Sequence, residues 1–474
     1  MNSQPNLLFI LADQMRGTAM GCAGNNQIIT PNMNKMAEEG FMFKNAVSVF
    51  PVCTPARASL ISGRYPTSVN VMDNDVPLPI DGKGFGHILK KNEYRTGWIG
   101  KWHLFGPKSV RETYIPPGKH RHGFEDLWAV LNCKHNYLNS YYYLNDSSKK
   151  RFIEGYEPNH QTDLALDFIT RYKDEPFALF LSWGPPHDPF EQVPQKWKSM
   201  YDINDLHFRK NVNTDRELIK DSLPGNFKKN CASEMFFNNF GTGEYKGRPK
   251  KKTLRDYYAA ITALDYNLGR LIDHLNKLGI DNNTILVFTS DHGEMMYSQR
   301  AVQKNYPWKE SLNVPFLIKY PEKINPGRSS ETPFNTVDIM PTLLDLMNIS
   351  IPSFSEGTSF KSLLMGKEQI KPEAAYIMCA FPWIIPEWRG VRTKRYTYVK
   401  SLKEPLLLYD NKNDPYQMNN LVNESKASDL IKYYDNLTDK MAKEIGDPFD
   451  PWEVIDNRME KIRKEWLERY DFNK

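Results

Sequence analysis

Short apolar runs alternate with stretches of helical periodicity over roughly the first 370 positions of this 474-residue chain. The run at 7–12 is apolar at every position, as a strand covered on both faces must be. Runs at 95–100, 178–183, 284–289 and 314–319 read as further strands. Between them, 32–40 reads as a helix stopped by Gly40, and 254–278 carries apolar residues at helical spacing up to Gly279. A helix is expected over 55–62, beginning just after Cys53, and another over 338–347. Strands alternating with helices predict an α/β fold with a largely parallel sheet.

Near residue 370 the pattern changes. Positions 389–400 alternate polar with aromatic or branched residues, the sign of a half-exposed antiparallel strand, and 406–409 is a candidate partner. Helices over 428–444 and 453–470 would cover that sheet. The expected organisation is a large α/β domain over 1–370 and a smaller C-terminal α+β subdomain with an antiparallel sheet over 371–474. Within the first, 195–250 lacks periodicity and reads as a surface insertion.

Composition adds limits. Hydrophobic residues at 40% and charged residues at 25% describe an ordinary globular protein. The net charge of +5, from 62 basic against 57 acidic residues, is too small at this size to point to nucleic acid. The basic run at 246–255 reads as a solvated loop. Cys22, Cys53, Cys133, Cys231 and Cys379 are odd in number and lack a Cys-x-x-Cys pair, which opposes a disulfide framework and a structural zinc site. The first apolar run has no basic leader and is too short to span a membrane. A full-length chain is therefore expected in the cytoplasm; a chain that has lost a leader is expected in the periplasm or outside the cell.

The candidate chemistry sits at strand ends, where open α/β sheets bind their ligands. Asp13-Gln14 follows the first strand, and Asp291-His292-Gly293-Glu294 follows the run at 284–289. Oxygen donors from two strand ends suit a hard cation such as calcium or magnesium. Between them lies Cys53-Thr54-Pro55-Ala56-Arg57. At ordinary proline and arginine usage, five cysteines produce Cys-x-Pro-x-Arg by chance about 1% of the time. Gly100-Lys101-Trp102-His103 and Pro185-Pro186-His187-Asp188-Pro189 add a lysine and two histidines, and Lys304 follows the second acidic cluster. Taken singly, these are turn aspartates, a surface lysine and packed histidines.

Taken together, they resemble the signature of the formylglycine-dependent sulfatases of the alkaline-phosphatase-like superfamily. The resemblance extends to Thr30-Pro31-Asn32-Met33, Tyr65-Pro66, Arg392-Thr393-Lys394-Arg395-Tyr396 and Tyr409-Asp410, and so covers nearly the whole chain. It implies a mixed, mostly parallel sheet sandwiched by helices, followed by the small antiparallel subdomain. It also implies hydrolysis of a sulfate ester, with a sulfated carbohydrate the favoured substrate class. Cys53 would be oxidised to formylglycine by a formylglycine-generating or anaerobic sulfatase-maturating enzyme. Asp13, Gln14, Asp291 and His292 would be the metal ligands, for calcium first, with magnesium or manganese as alternatives. Arg57 and Lys101 would neutralise the nucleophile's oxyanion, His103 would take a proton, and His187 would protonate the leaving alkoxide. Lys304 and Asn74 would contact the substrate anion.

Gln14 and His292 depart from the commoner Asp and Asn of the family, and the pairing also occurs in phosphonate monoester hydrolases. A phosphonate monoester or phosphodiester hydrolase is therefore the alternative activity. A non-catalytic carbohydrate-binding relative is a third reading, opposed by the intact Arg57, Lys101, His103, His187 and Lys304. Trp128, Tyr141, Tyr142, Tyr143, Trp197, Trp383 and Trp388 are candidate sugar-stacking residues, although a place in the core is the favoured reading for each.

Overall fold

A computed structural model describes residues 4–212, 250–367, 372–380 and 387–470. Its strands, in chain order, begin with β1 (Asn6–Ala12), β2 (Phe41–Phe43), β3 (Ala46–Val47), β4 (Arg95–Lys101) and β5 (Leu127–Leu131). They continue with β6 (Tyr141–Leu144), β7 (Lys150–Phe152), β8 (Phe177–Trp183), β9 (Thr284–Ser290), β10 (Phe316–Lys319) and β11 (Arg328–Ser330). All but β3 join one sheet in the order β11-β2-β10-β9-β1-β8-β4-β5-β6-β7. The central strands β9, β1, β8, β4 and β5 run parallel, and antiparallel pairs extend the sheet through β10 and β6. β3 pairs with β12 (Phe334–Asn335) alone.

β1 shows why the sheet is a middle layer. Successive side chains of a strand point to opposite faces. Leu7, Phe9 and Leu11 enter one core, and Leu8 and Ile10 enter the other. The first core packs beneath the helices Cys53–Ser62, Phe85–Lys91 and Ile339–Leu346. The second packs against Pro31–Glu39, Glu157–Arg171 and the long helix Lys250–Leu278. This is the mostly parallel sheet sandwiched by helices that the sequence resemblance implies.

The smaller sheet is antiparallel, in the order β13 (Ala374–Cys379), β14 (Trp388–Thr393), β15 (Tyr396–Lys400) and β16 (Pro405–Asp410). The single strand expected over 389–400 is thus two strands of a hairpin, turned at Lys394-Arg395. β14 is buried along its whole length, because its two faces meet separate layers, so it is not half-exposed. The helix Ser428–Glu444 covers this sheet as expected. The last helix, Trp452–Arg469, packs instead on the catalytic half, with Trp466 edge-on to Phe105 at 5.0 Å between ring centroids.

The expected boundary at 370 and most of the expected insertion, 213–249, lie outside the described residues, as do Trp383 and Cys231. The described part of the insertion is not all surface, since Trp197, Tyr201 and Leu206 join the second core. Trp128, Tyr141 and Trp388 are buried too, which accounts for them as core rather than as sugar platforms. No helix of the described residues is long and apolar enough to cross a membrane.

Candidate active site

The helix Cys53–Ser62 begins at Cys53 itself, two residues earlier than expected. Pro55 tolerates this because a first-turn N–H has no intrahelical partner to lose. The N–H of Thr54 is instead bonded by Asn74 Oδ1 at 3.1 Å, so Asn74 caps the helix that carries the cysteine. A separation of four residues puts Cys53 and Arg57 on one helical face. Arg57 is buried and donates from Nε to Asp291 Oδ2 at 2.9 Å, and from Nη1 to Ser182 Oγ and the Lys101 carbonyl. Its Nη2 has no hydrogen-bond partner among the described residues and lies 3.6 Å from Asp13 Oδ2.

Strand ends supply the rest. Asp13 and Gln14 leave β1, Asp291 and His292 leave β9, Lys101 ends β4, and His187 follows β8. Around Cys53 Sγ stand His292 Nε2 at 3.1 Å, Lys304 Nζ at 3.5 Å, Lys101 Nζ at 3.6 Å and Asp13 Oδ1 at 3.7 Å. Burial opposes ionisation of the thiol, but Lys101, Lys304 and His292 outweigh it and hold Cys53 well below the usual thiol range. Burial and Cys53 likewise push Asp13 up, and Lys101, His187 and Arg57 bring it down to a net lowering. Lys101 pairs directly with Asp13.

The donor set fits a hard cation. Asp13, Asp291, His292 and Cys53 each bring one ligand atom within 4.8 Å of the others, and all four are buried. Nδ1 of His292 faces the Gly293 carbonyl at 3.0 Å. A carbonyl only accepts, so the proton sits on Nδ1 and the Nε2 lone pair faces the cluster. Gln14 joins through its amide: Oε1 accepts from Lys304 Nζ at 2.6 Å, and Nε2 donates to Glu294 Oε2 at 2.6 Å. The imidazole nitrogen makes manganese less excluded than an all-oxygen cluster would.

Two histidines flank the cysteine with different partners. His187 Nε2 meets Lys304 Nζ at 2.6 Å, and Nδ1 faces the Asp188 carbonyl at 2.8 Å. Burial and Lys304 oppose its protonation, Asp188 and Asp13 favour it, and the balance raises its pKa. His103 Nε2 faces Asp75 Oδ1 at 3.2 Å, and Asp75 is gripped by Arg111 through two bonds of 2.6 Å. Burial disfavours the charged ring, but Cys133 and Asp75 favour it more and raise His103 to about 10. Its Nδ1 has no hydrogen-bond partner among the described residues.

Backbone strain marks the same ring of residues. Gln14, Asp75, His103 and Gln303 all have positive φ, between 60° and 65°. Such conformations cost on the order of 1–3 kcal/mol each and gather at functional sites. Gly293 serves the site in another way, since a Cβ there would stand 1.9 Å from the Glu310 carbonyl.

Every site residue predicted from the sequence lies in this one region, with Asn74 at its edge as a helix cap. Sequence reasoning missed Asp75, Glu294 and Asp188, each of which orients a predicted residue, and Arg111, which holds Asp75. Asp188 and Glu294 stand inside motifs that were read, but no local pattern marks their partners.

The sulfatase family model matches residues 5–349, and the model for the C-terminal region of N-sulphoglucosamine sulphohydrolase matches 298–445. An ulvan-active sulfatase of Formosa agariphila is 36% identical over 99% of this chain and 85% of its own length. An endo-4-O-sulfatase of Bacteroides thetaiotaomicron is 29% identical over 96% of this chain and 95% of its own. A protein solved in complex with its substrate D-glucosamine-2-N,6-O-disulfate is 25% identical and superposes with a TM-score of 0.80, covering 95% of this chain and 100% of its own. A solved phosphonate monoester hydrolase from Silicibacter pomeroyi, at 19% identity and a TM-score of 0.75, shares the fold alone. With a family match over most of its length and a relative aligned almost end to end, this chain belongs to the sulfatase family.

Proposed function

We propose that this sulfatase hydrolyses a sulfate ester of a carbohydrate, through a formylglycine made from Cys53 by a maturating enzyme, with a divalent cation, calcium first. The observation that carries the reading is the convergence on Cys53 Sγ of Lys101, Lys304, His292 and Asp13, all within 3.7 Å. A buried residue with two lysine ammoniums and a set of metal donors beside it suits a substrate that carries a tetrahedral anion. The carbohydrate class rests on the relative solved with a sulfated glucosamine as its substrate.

Formylglycine supplies a hydrated aldehyde whose hydroxyl is the nucleophile, and a cation held by Asp13, Gln14, Asp291 and His292 supplies positive charge beside the sulfate. The chain's own residues do the rest. Lys101, Lys304 and the free Nη2 of Arg57 hold the sulfate oxygens and offset the charge that builds up during attack. His187 keeps its proton on Nδ1 against the Asp188 carbonyl while Nε2 accepts from Lys304, so Nε2 takes up the proton for the departing alcohol only as Lys304 turns to the sulfate. His103, held by Asp75 on Nε2 and with Nδ1 unpartnered among the described residues, takes the hydroxyl proton that restores the aldehyde in its neutral form, the minority form at neutral pH with a pKa raised to about 10.

Mass spectrometry of the tryptic peptide spanning residue 53, after co-expression with a maturating enzyme, is expected to show the aldehyde or its hydrate. Cys53→Ala is expected to lose on the order of 10²–10³ or more in turnover of an aryl sulfate. Full activity with an unmodified thiol overturns the formylglycine reading. Clear preference for an aryl phosphonate ester over the aryl sulfate favours the alternative hydrolase.

A further inference from the structure

A second set of donors lies just behind the turn that carries Asp13 and Gln14. Arg16 is 2% exposed, and among the described residues its Nε and Nη1 have no hydrogen-bond partner. Thr18 Oγ1 is also buried and without a partner. Both line a cavity of about 400 Å³ shared with Tyr258, Arg209, Lys210 and Tyr416. Tyr258 already accepts a bond from Asn25 Nδ2 at 3.0 Å, which leaves its own proton available. Three cations therefore face this space, against the carboxylate of Glu310, which holds Arg209 Nε at 2.9 Å.

A buried guanidinium with two of its nitrogens unsatisfied, near the Tyr257 ring and a Glu310 carboxylate already shared with Arg209, is costly unless something fills the space beside it. Water is a neutral partner and leaves the excess positive charge in place. An oxyanion answers both needs, because it accepts from several donors at once and neutralises them. The cavity is close to the reacting centre. Arg16 lies three residues from Asp13, within about 11 Å of extended chain. The Tyr257 hydroxyl joins the two, accepting from Arg16 N at 3.0 Å and donating to the Gln14 carbonyl at 3.2 Å.

We propose that this cavity binds a second anionic group, sulfate or carboxylate, on a saccharide unit next to the one that carries the scissile ester. The inference rests on the carbohydrate-sulfatase reading. Matured wild type, Arg16→Met and Lys210→Gln are compared on an aryl sulfate, a sulfated hexosamine, and the same hexosamine joined to a uronic acid. The ratio of kcat/KM for the disaccharide over the monosaccharide is expected to fall about tenfold in each variant. Lys210 is exposed, so its variant carries the test if Arg16→Met does not fold. An unchanged ratio, with wild type active on both saccharides, overturns the second-anion site and leaves the carbohydrate reading standing. Aryl sulfate turnover with neither saccharide hydrolysed overturns the carbohydrate reading and this inference with it. A ratio that holds while only inhibition by inorganic sulfate weakens assigns the cavity to the free anion and overturns the substrate-group proposal.

Discussion

The carboxylate of Glu294, with Asp188, holds the amino end of the Gln14 amide so that its oxygen faces Lys304 and the cation donors. It accepts from Gln14 Nε2 through one oxygen, and from the N–H groups of Met296 and Gln303 through the other. A glutamine in its place can turn an N–H toward Gln14, whose amide then rests on Lys304 at Oε1 and on the longer bond from Nε2 to Asp188 Oδ1 at 3.3 Å. Glu294→Gln is expected to weaken calcium binding 10–100-fold, roughly the usual effect of losing a partner that orients a ligand. Calorimetric titration of the metal-free protein checks this, and unchanged affinity refutes it. Asp75→Asn tests the other orienting carboxylate. Removing the charge that faces His103 Nε2 is expected to move the imidazole titration down from about 10, read by NMR of the histidine rings. Cys53 and Asp291 were legible in the sequence because motif and strand end announce them. Glu294 and Asp75 act on partners 280 and 28 positions away, so their roles appear only once the chain is folded.

At the scale of elements, the last helix was legible as a helix but not as a brace. Arg463 on Trp452–Arg469 donates to Asp73 Oδ2 at 2.5 Å and to the Asn74 carbonyl at 2.7 Å. It thereby holds the loop that sends Asn74 to the start of the Cys53 helix and Asp75 to His103. Burial raises the Asp73 carboxyl, and Arg463 works against that rise. Arg463→Ala leaves that carboxylate and a carbonyl without their donor, which costs about 1–3 kcal/mol. It is therefore expected to lower Tm and to reduce kcat together. A Tm drop with kcat untouched would show that the loop keeps its shape without the helix. Apolar periodicity shows which face of a helix is buried; it does not choose between two layers that both offer apolar surface. The hairpin at Lys394-Arg395 escaped for a related reason. Its turn carries neither glycine nor proline, so the alternation of 389–400 runs through it unbroken.

Over the whole molecule, three buried carboxyl groups pull stability toward acid pH. Burial raises Glu157 to about 8, Asp338 to about 7 and Asp265 to about 6, from ordinary values of 4.5, 3.8 and 3.8. Above their ordinary values, each binds its proton more tightly in the folded chain than in the unfolded one. Stability therefore falls with rising pH wherever the folded state holds more protons. The contribution is fully present below about pH 4, and is lost as pH rises through the folded values up to about 8. Asp447, held low against burial by Arg389, works in the opposite direction and loses its contribution as pH falls below the ordinary carboxylate range. Three histidines also oppose the raised carboxyl groups, since burial lowers His120, His122 and His135 to about 4, 3 and 3. They bind fewer protons folded than unfolded and lose their contribution as pH falls below about 6.5, so the difference in Tm between about pH 5 and about pH 8 is a balance of the two sets. Glu157 lies at the first turn of Glu157–Arg171, outside the reacting centre. Glu157→Gln removes its proton from the balance, so Tm at about pH 8 is expected to rise relative to Tm at about pH 5. A variant whose Tm changes equally at both would mean that Glu157 does not carry a proton into the fold.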